Sequence, residues 1–186
     1  MIDWLIQNGE TVVVLALVLS IPAALGVLYL RDRARRSLHK ARRSMSDPAA
    51  VRRVRELVAA RCNSSGYALL SRAEFFDGNH DTGSLAPNLS LHQGPKDLER
   101  FAAVLEGIGS RAAVSDVLVE ASNDSGPDEW PVSEAVYVLT GAALDEVRKW
   151  LAPLRPDSVI EGTWHGTGLD FPELPEGARV CCAWWD

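Results

Sequence analysis

An α+β domain carried behind one membrane-spanning helix is the architecture this sequence predicts, and three observations predict it. Residues 11–30 are twenty consecutive residues without a charge, TVVVLALVLSIPAALGVLYL. Charge is then divided sharply along the chain: residues 1–30 carry −2, residues 31–61 carry +8 and residues 62–186 carry −12, which together give the net −6. Beyond residue 64, segments with strand and helix periodicity follow in the order β, α, β, β, α, β. At 186 residues and 20.3 kDa the chain has room for one ordinary domain and an appendage, which excludes a large multidomain enzyme. Hydrophobic residues at 47% and charged residues at 24% are the balance of a folded chain rather than a disordered or disulfide-stapled one.

As a helix, the uncharged run would reach about 30 Å, the thickness of a bilayer's hydrocarbon core. A cleaved signal peptide is the rival reading. It needs a basic start, a shorter apolar stretch and a small-residue cleavage site, whereas here the start is acidic and arginines follow the long run. Lys and Arg near the ends of a span set its orientation. The upstream flank has none and Arg31–Arg43 has seven. The sequence therefore predicts a short extracytoplasmic tail at 1–10, a single transmembrane helix at 11–30 in the inner or plasma membrane, and a cytoplasmic C-terminal domain. The arginines of 31–43 would sit at the anionic leaflet, each contributing about 1 kcal/mol. That position accounts for the basic collar, so no nucleic-acid partner is expected. Ala16, Ser20 and Ala24 repeat at small-xxx-small spacing, which allows a homo-oligomer through the transmembrane helix.

A basic helical juxtamembrane linker is expected over 31–63. Within it Ser46-Asp47-Pro48 reads as a helix start, with a capping side chain before Pro at the first helical position. Val51, Val54, Leu57 and Val58 then share one face. This amphipathic connector could lie on the membrane, pack on the domain or pair with a copy of itself. The polar run Asn63-Ser64-Ser65-Gly66 marks the start of the domain at 64–186. Tyr67–Leu70 reads as a strand. Ser71 with Glu74 is a capping box for a short helix ended by Gly78. Pro95 opens a longer helix with Leu98, Phe101, Ala102, Leu105 and Ile108 at helical spacing and Gly109 as its stop. Val114–Ala121 and Ala135–Thr140 read as strands across a turn-rich 122–130, and Ala142–Leu151 as a helix ended by Pro153. Ser158–Glu161 is a short strand candidate. Ala178–Trp185 is apolar on both faces, as expected of a central strand covered on both sides. The helices are expected on one face of the sheet in a small α/β sandwich, for which a ferredoxin-like arrangement is one candidate.

The segments Glu74-Phe75-Phe76-Asp77-Gly78-Asn79, Gly83-Ser84-Leu85, Asn88-Leu89, Trp130-Pro131, Val136-Tyr137 and the terminal Trp184-Trp185-Asp186 resemble a family of small, uncharacterised bacterial proteins. The resemblance spans roughly residues 70–186 and leaves out the membrane anchor. It implies a bacterial source and a compact α+β domain, and it brings no activity to any residue.

The chemistry-bearing motifs are sparse. Asp77, Asn79 and Asp81 place oxygen side chains at alternate positions, as a loop wrapping a hard cation does, yet Thr82 occupies the glycine position and Asn88 the place of the bidentate glutamate. The same residues close ordinary turns. His39, His80, His92 and His165 have no zinc spacing. Cys62 is isolated, and Cys181-Cys182 lie in an apolar strand, where thiols act as small hydrophobes. No nucleophile elbow or phosphate loop occurs, so no cofactor is expected. Trp164 with His165, in the glycine-rich GTWHGTG, is the candidate partner-binding pair. The function these features predict is a membrane-anchored, non-catalytic binding domain meeting a protein partner, with a toxin-neutralising immunity protein as one version by analogy of charge. The alternative is a tethered hydrolase or metal-dependent enzyme using the Asp77–Asp81 loop.

Overall fold

The computed structural model describes residues 46–87, 98–164 and 168–185. The expected membrane span, the collar Arg31–Arg43, the helix start at Pro95, and the residues His165 and Asp186 lie outside the described residues. No helix among the described residues is long and apolar enough to cross a membrane.

Helix α1, Pro48–Arg61, begins as its sequence dictates. Asp47 accepts a hydrogen bond from the Ala49 amide at 3.0 Å, and Pro48 fills the first turn, where a missing N–H costs nothing. Its apolar face is not left for membrane or a second copy. Ala50, Val51, Val54 and Val58 are buried in the same core as the sheet. The boundary expected at Asn63–Gly66 is accordingly a turn inside the domain, where the Asn63 side chain accepts from the amides of Ser65 and Tyr67. Strand β1, Tyr67–Ser71, leads into the five-residue helix α2, Arg72–Phe76. The Ser71/Glu74 capping box forms in full, and Glu74 also takes a two-pronged contact from Arg61 at 2.8 and 3.0 Å. Gly78 follows with φ +77, and a Cβ there would stand 2.8 Å from that of Ala50. Glycine is needed at 78 both for the left-handed turn and for the approach of α1.

The remaining elements are α3, Leu98–Gly109; β2, Val114–Ser122; β3, Ala135–Thr140; α4, Leu144–Leu151, with a 3-10 turn at Ala152–Leu154; β4, Ser158–Glu161; and β5, Arg179–Trp184. They form an open five-stranded sheet in the order β1-β2-β3-β5-β4, with every pairing antiparallel. The domain is α+β with its helices on one face. It is not ferredoxin-like, because that arrangement needs parallel strands joined by a helix, and here β2 returns directly beside β1.

Period-two alternation gives the sheet two different faces. One face, Leu70, Val117, Val119, Val136, Val138, Cys181 and Ala183, packs under all four helices with Trp185 and forms the main core. The opposite face carries Leu69, Leu118, Tyr137, Leu139 and Cys182, a smaller core under Leu169, Phe171 and Leu174. Strand β5 lies between β3 and β4, which explains why both its faces are apolar.

Each sheet edge is partly capped by local contacts. At β1, the Tyr67 amide donates to Asn63 Oδ1, the Tyr67 carbonyl accepts from the Asn63 amide at 2.8 Å, and the Ser71 amide donates to Glu74. At β4, the Arg148 guanidinium donates twice to the Val159 carbonyl, at 3.1 and 3.3 Å. Such capping occupies some of the backbone groups through which exposed edges recruit further strands.

Candidate functional site

The Asp77–Asp81 segment folds as a structural loop. Asp77 leaves the loop to pair with Arg53 at 2.9 Å on the surface. Asn79, 6% exposed, donates to the Phe75 carbonyl at 3.2 Å and to Ser84 Oγ at 2.9 Å, and its oxygen accepts from the Asp81 amide. Asp81 accepts from the Gly83 amide at 2.8 Å. Each of the three oxygen-bearing side chains has a partner within the protein. Among the described residues, no group of three His, Cys, Asp or Glu side chains is placed to hold a metal. The loop is stitched to the chain before β3 by Ser133, whose amide donates to the Ser84 carbonyl and whose carbonyl accepts from the Ala86 amide. The segments that carry the resemblance are thus largely framework: a cap, a buried Phe75, this loop, and the buried rings of Trp130, Tyr137 and Trp185.

Burial also accounts for the cysteines. Cys181 points into the main core and Cys182 into the opposite one. Desolvation first, then the nearby Glu120 charge, pushes the Cys182 thiol up to about 12. The Cys181 thiol is raised for the same leading reason. A nucleophilic cysteine requires the opposite shift.

The polar feature of the second face is Glu120. Its position on β2 shares a face with Leu118 and Ser122, and although 2% exposed it accepts a hydrogen bond from the Tyr137 hydroxyl at 2.7 Å. Burial and the neighbouring Glu120 charge hold the Tyr137 hydroxyl far above its ordinary value. Glu120 also lines a cleft of about 320 Å³ with Tyr67, Asp124, Glu129 and Glu134, and none of the described side chains lining it is basic. The field there is visible in Tyr67, whose pKa is raised by burial first and then by Glu120, Glu134 and Asp124.

Trp164 lies on the same side of the sheet. Its backbone hydrogen-bonds at Tyr137 and Cys182, on the same face as Glu120. Its ring stacks on Trp184 with centroids 4.1 Å apart and planes at 19°. At 40% exposure it is the one exposed large hydrophobic side chain among the described residues. The cleft residues were not evident as a site in the sequence, because Tyr67 and residues 120–134 meet only through the β1–β2 pairing. A signal was present nonetheless: from 112 to 147 the chain has eight Asp or Glu and no Lys or Arg.

Comparison with known proteins places this domain. The family model described as the uncharacterized protein YfbO family matches residues 49–183, starting inside α1 and thus taking in the helix that the core requires. The uncharacterized protein YfbO of Escherichia coli (strain K12) is 37% identical over 120 residues, covering 63% of this chain and 82% of that protein. No solved structure matches. With well over half its length matched, the chain belongs to the uncharacterised YfbO family.

Proposed function

We propose that this chain is a membrane-tethered protein whose α+β domain binds a basic protein partner without catalysing a reaction. The observation that carries this reading is the cleft lined by Tyr67, Glu120, Asp124, Glu129 and Glu134, with no basic side chain among its described residues, on the same sheet face as an exposed indole stacked on Trp184. An acidic recess next to an aromatic face suits a guanidinium or ammonium group, which gains from both the field and the ring quadrupole. The obvious nucleophiles offer no competing chemistry, since both thiols of β5 are buried with raised pKa values. Neutralisation of a basic toxin is one form such binding takes, by analogy of charge alone. Tethering is supported by the twenty uncharged residues at 11–30 and by the asymmetry of none against seven basic residues at their ends.

Titration of the full-length chain with a short arginine–glycine peptide, followed by tryptophan fluorescence, tests the binding reading. Saturable binding that the glutamate–glycine counterpart lacks and that Trp164→Ala weakens is the expected result. Equal response to both peptides would refute it. For the tether, an alkaline-phosphatase fusion at the C-terminus should be inactive and a fluorescent-protein fusion bright; the reverse pattern would overturn the orientation.

A further inference from the structure

We infer that residues 168–178 form a strap that opens as a unit, uncovering the second face of the sheet while the helix-covered core stays closed. This goes beyond the binding reading and stands without it. The strap crosses the face that bears Tyr137 and Cys182 but is not built into it. Pro172 and Pro175 have no amide to donate, so the segment cannot pair as a strand. Its two backbone hydrogen bonds among the described residues, Phe171 amide to Leu169 carbonyl at 3.2 Å and Ala178 amide to Pro175 carbonyl at 3.0 Å, stay within the strap.

Three side chains hold it down. Leu169, Phe171 and Leu174 pack on the smaller core and all remain half-buried; the Phe171 ring meets Tyr137 edge-on at 5.1 Å. Along its side toward β1 the contact is loose. A gap of about 640 Å³ separates Asp170–Pro172 from the end of α1 and from Leu69 and Leu118. The strap ends at Gly177 with φ +77 and begins at Gly168 with φ +101, two positions that tolerate large backbone rotation. Few buried contacts and, among the described residues, no hydrogen bonds to the sheet are the marks of a segment that opens below the cost of global unfolding. The helix face is held differently, by four helices and Trp185 on one continuous core.

Adjacent cysteines report the two faces separately, because Cys182 packs in the smaller core with Leu169, Phe171 and Leu174, and Cys181 in the main core under the helices. None of the surface of Cys182 is exposed in the closed state, so its modification reads opening. The test uses the full-length chain in two variants, Cys62→Ser/Cys181→Ala and Cys62→Ser/Cys182→Ala, each labelled with a neutral thiol reagent and each rate divided by that variant's rate in denaturant. Cys182 should react at least about tenfold faster than Cys181 under native conditions, with a rate little changed by low denaturant, whereas that of Cys181 should rise as unfolding does. Adding Leu174→Ala should accelerate Cys182 and leave Cys181 unchanged. Equal normalised rates and equal denaturant slopes for the two cysteines would overturn the proposal, as would a Leu174→Ala change that speeds both alike.

Discussion

Trp185 stands at the end of the chain, where segments usually fray, yet none of its surface is exposed. Its indole N–H donates to the Leu154 carbonyl at 2.9 Å, and its ring meets Phe101 edge-on at 5.7 Å. Replacing it with Ala removes a fully enclosed ring, at about 3–5 kcal/mol for such sites. It also leaves the Leu154 carbonyl without its donor, which adds about 1 kcal/mol. Against a domain stability of about 5–15 kcal/mol, Trp185→Ala should lose roughly 4–6 kcal/mol and, at about 3 °C per kcal/mol, lower the melting midpoint by about 12–18 °C. Trp185→Phe keeps the ring contact but not the donor, and should fall between. Deleting 183–186 removes in addition the rungs pairing Ala183 with Val136 and Val159, and Trp184 with Ala135 and Ser158, and should unfold the domain. Circular dichroism melts of the full-length variants read all three. If the deletion left the melt unchanged, the indole would be a surface feature and the placement of β5 between β3 and β4 would be wrong.

Val54 and Val58, 2% and 1% exposed, should each cost about 2 kcal/mol on substitution by Ala, so that residues 46–186 melt cooperatively while residues 64–186 do not fold. Asn79→Ala strips the 77–85 loop of a buried partner for Phe75, Ser84 and Asp81 and should cost about 2–4 kcal/mol in a chemical melt, whereas a chelator should leave the wild-type midpoint where it was. Glu74 has its pKa lowered, chiefly by the hydrogen-bonded Arg61 against the opposing effect of burial, and further by the Ser71 amide and hydroxyl. A lowered carboxyl pKa stabilises above the unfolded value and loses that contribution as pH falls through the folded one. The stability gap between wild type and Glu74→Gln should therefore be full at pH 7 and close below about pH 4, and a gap unchanged by pH would contradict it.

Much of the fold is legible locally. The Asp47-Pro48 start and the Ser71/Glu74 box each specify an element through contacts a few residues apart, and the two-faced apolar pattern of 179–184 marks a strand covered on both sides. What was not legible depends on partners distant in sequence. The amphipathic pattern of 48–61 shows that one face must be covered but not by what; the structure answers with the main core. Strand periodicity does not state which strand lies beside which, so the antiparallel order emerges only from the register. At Asp77, Asn79 and Asp81 the ambiguity is chemical, because the side chains that ligate a cation are the same ones that close turns. Glu120 is hidden for the opposite reason. A single carboxylate in the apolar run Val117–Ala121 becomes meaningful only when Tyr137 and Tyr67 are brought to the same face.

The acidic cleft is the centre of the functional account, and its charge is what a partner would read. The most direct measurement is the salt dependence of the affinity of the full-length chain for the arginine–glycine peptide, with and without Asp124→Asn/Glu129→Gln/Glu134→Gln. Between about 0.1 and 1 M salt the screening length falls from about 10 Å to 3 Å, so wild-type affinity should drop steeply. The neutralised variant should bind weakly at every salt concentration, with a nearly flat profile and an unchanged melt. Wild-type affinity indifferent to salt, or retained in full by the variant, would contradict the assignment of this cleft as the binding site.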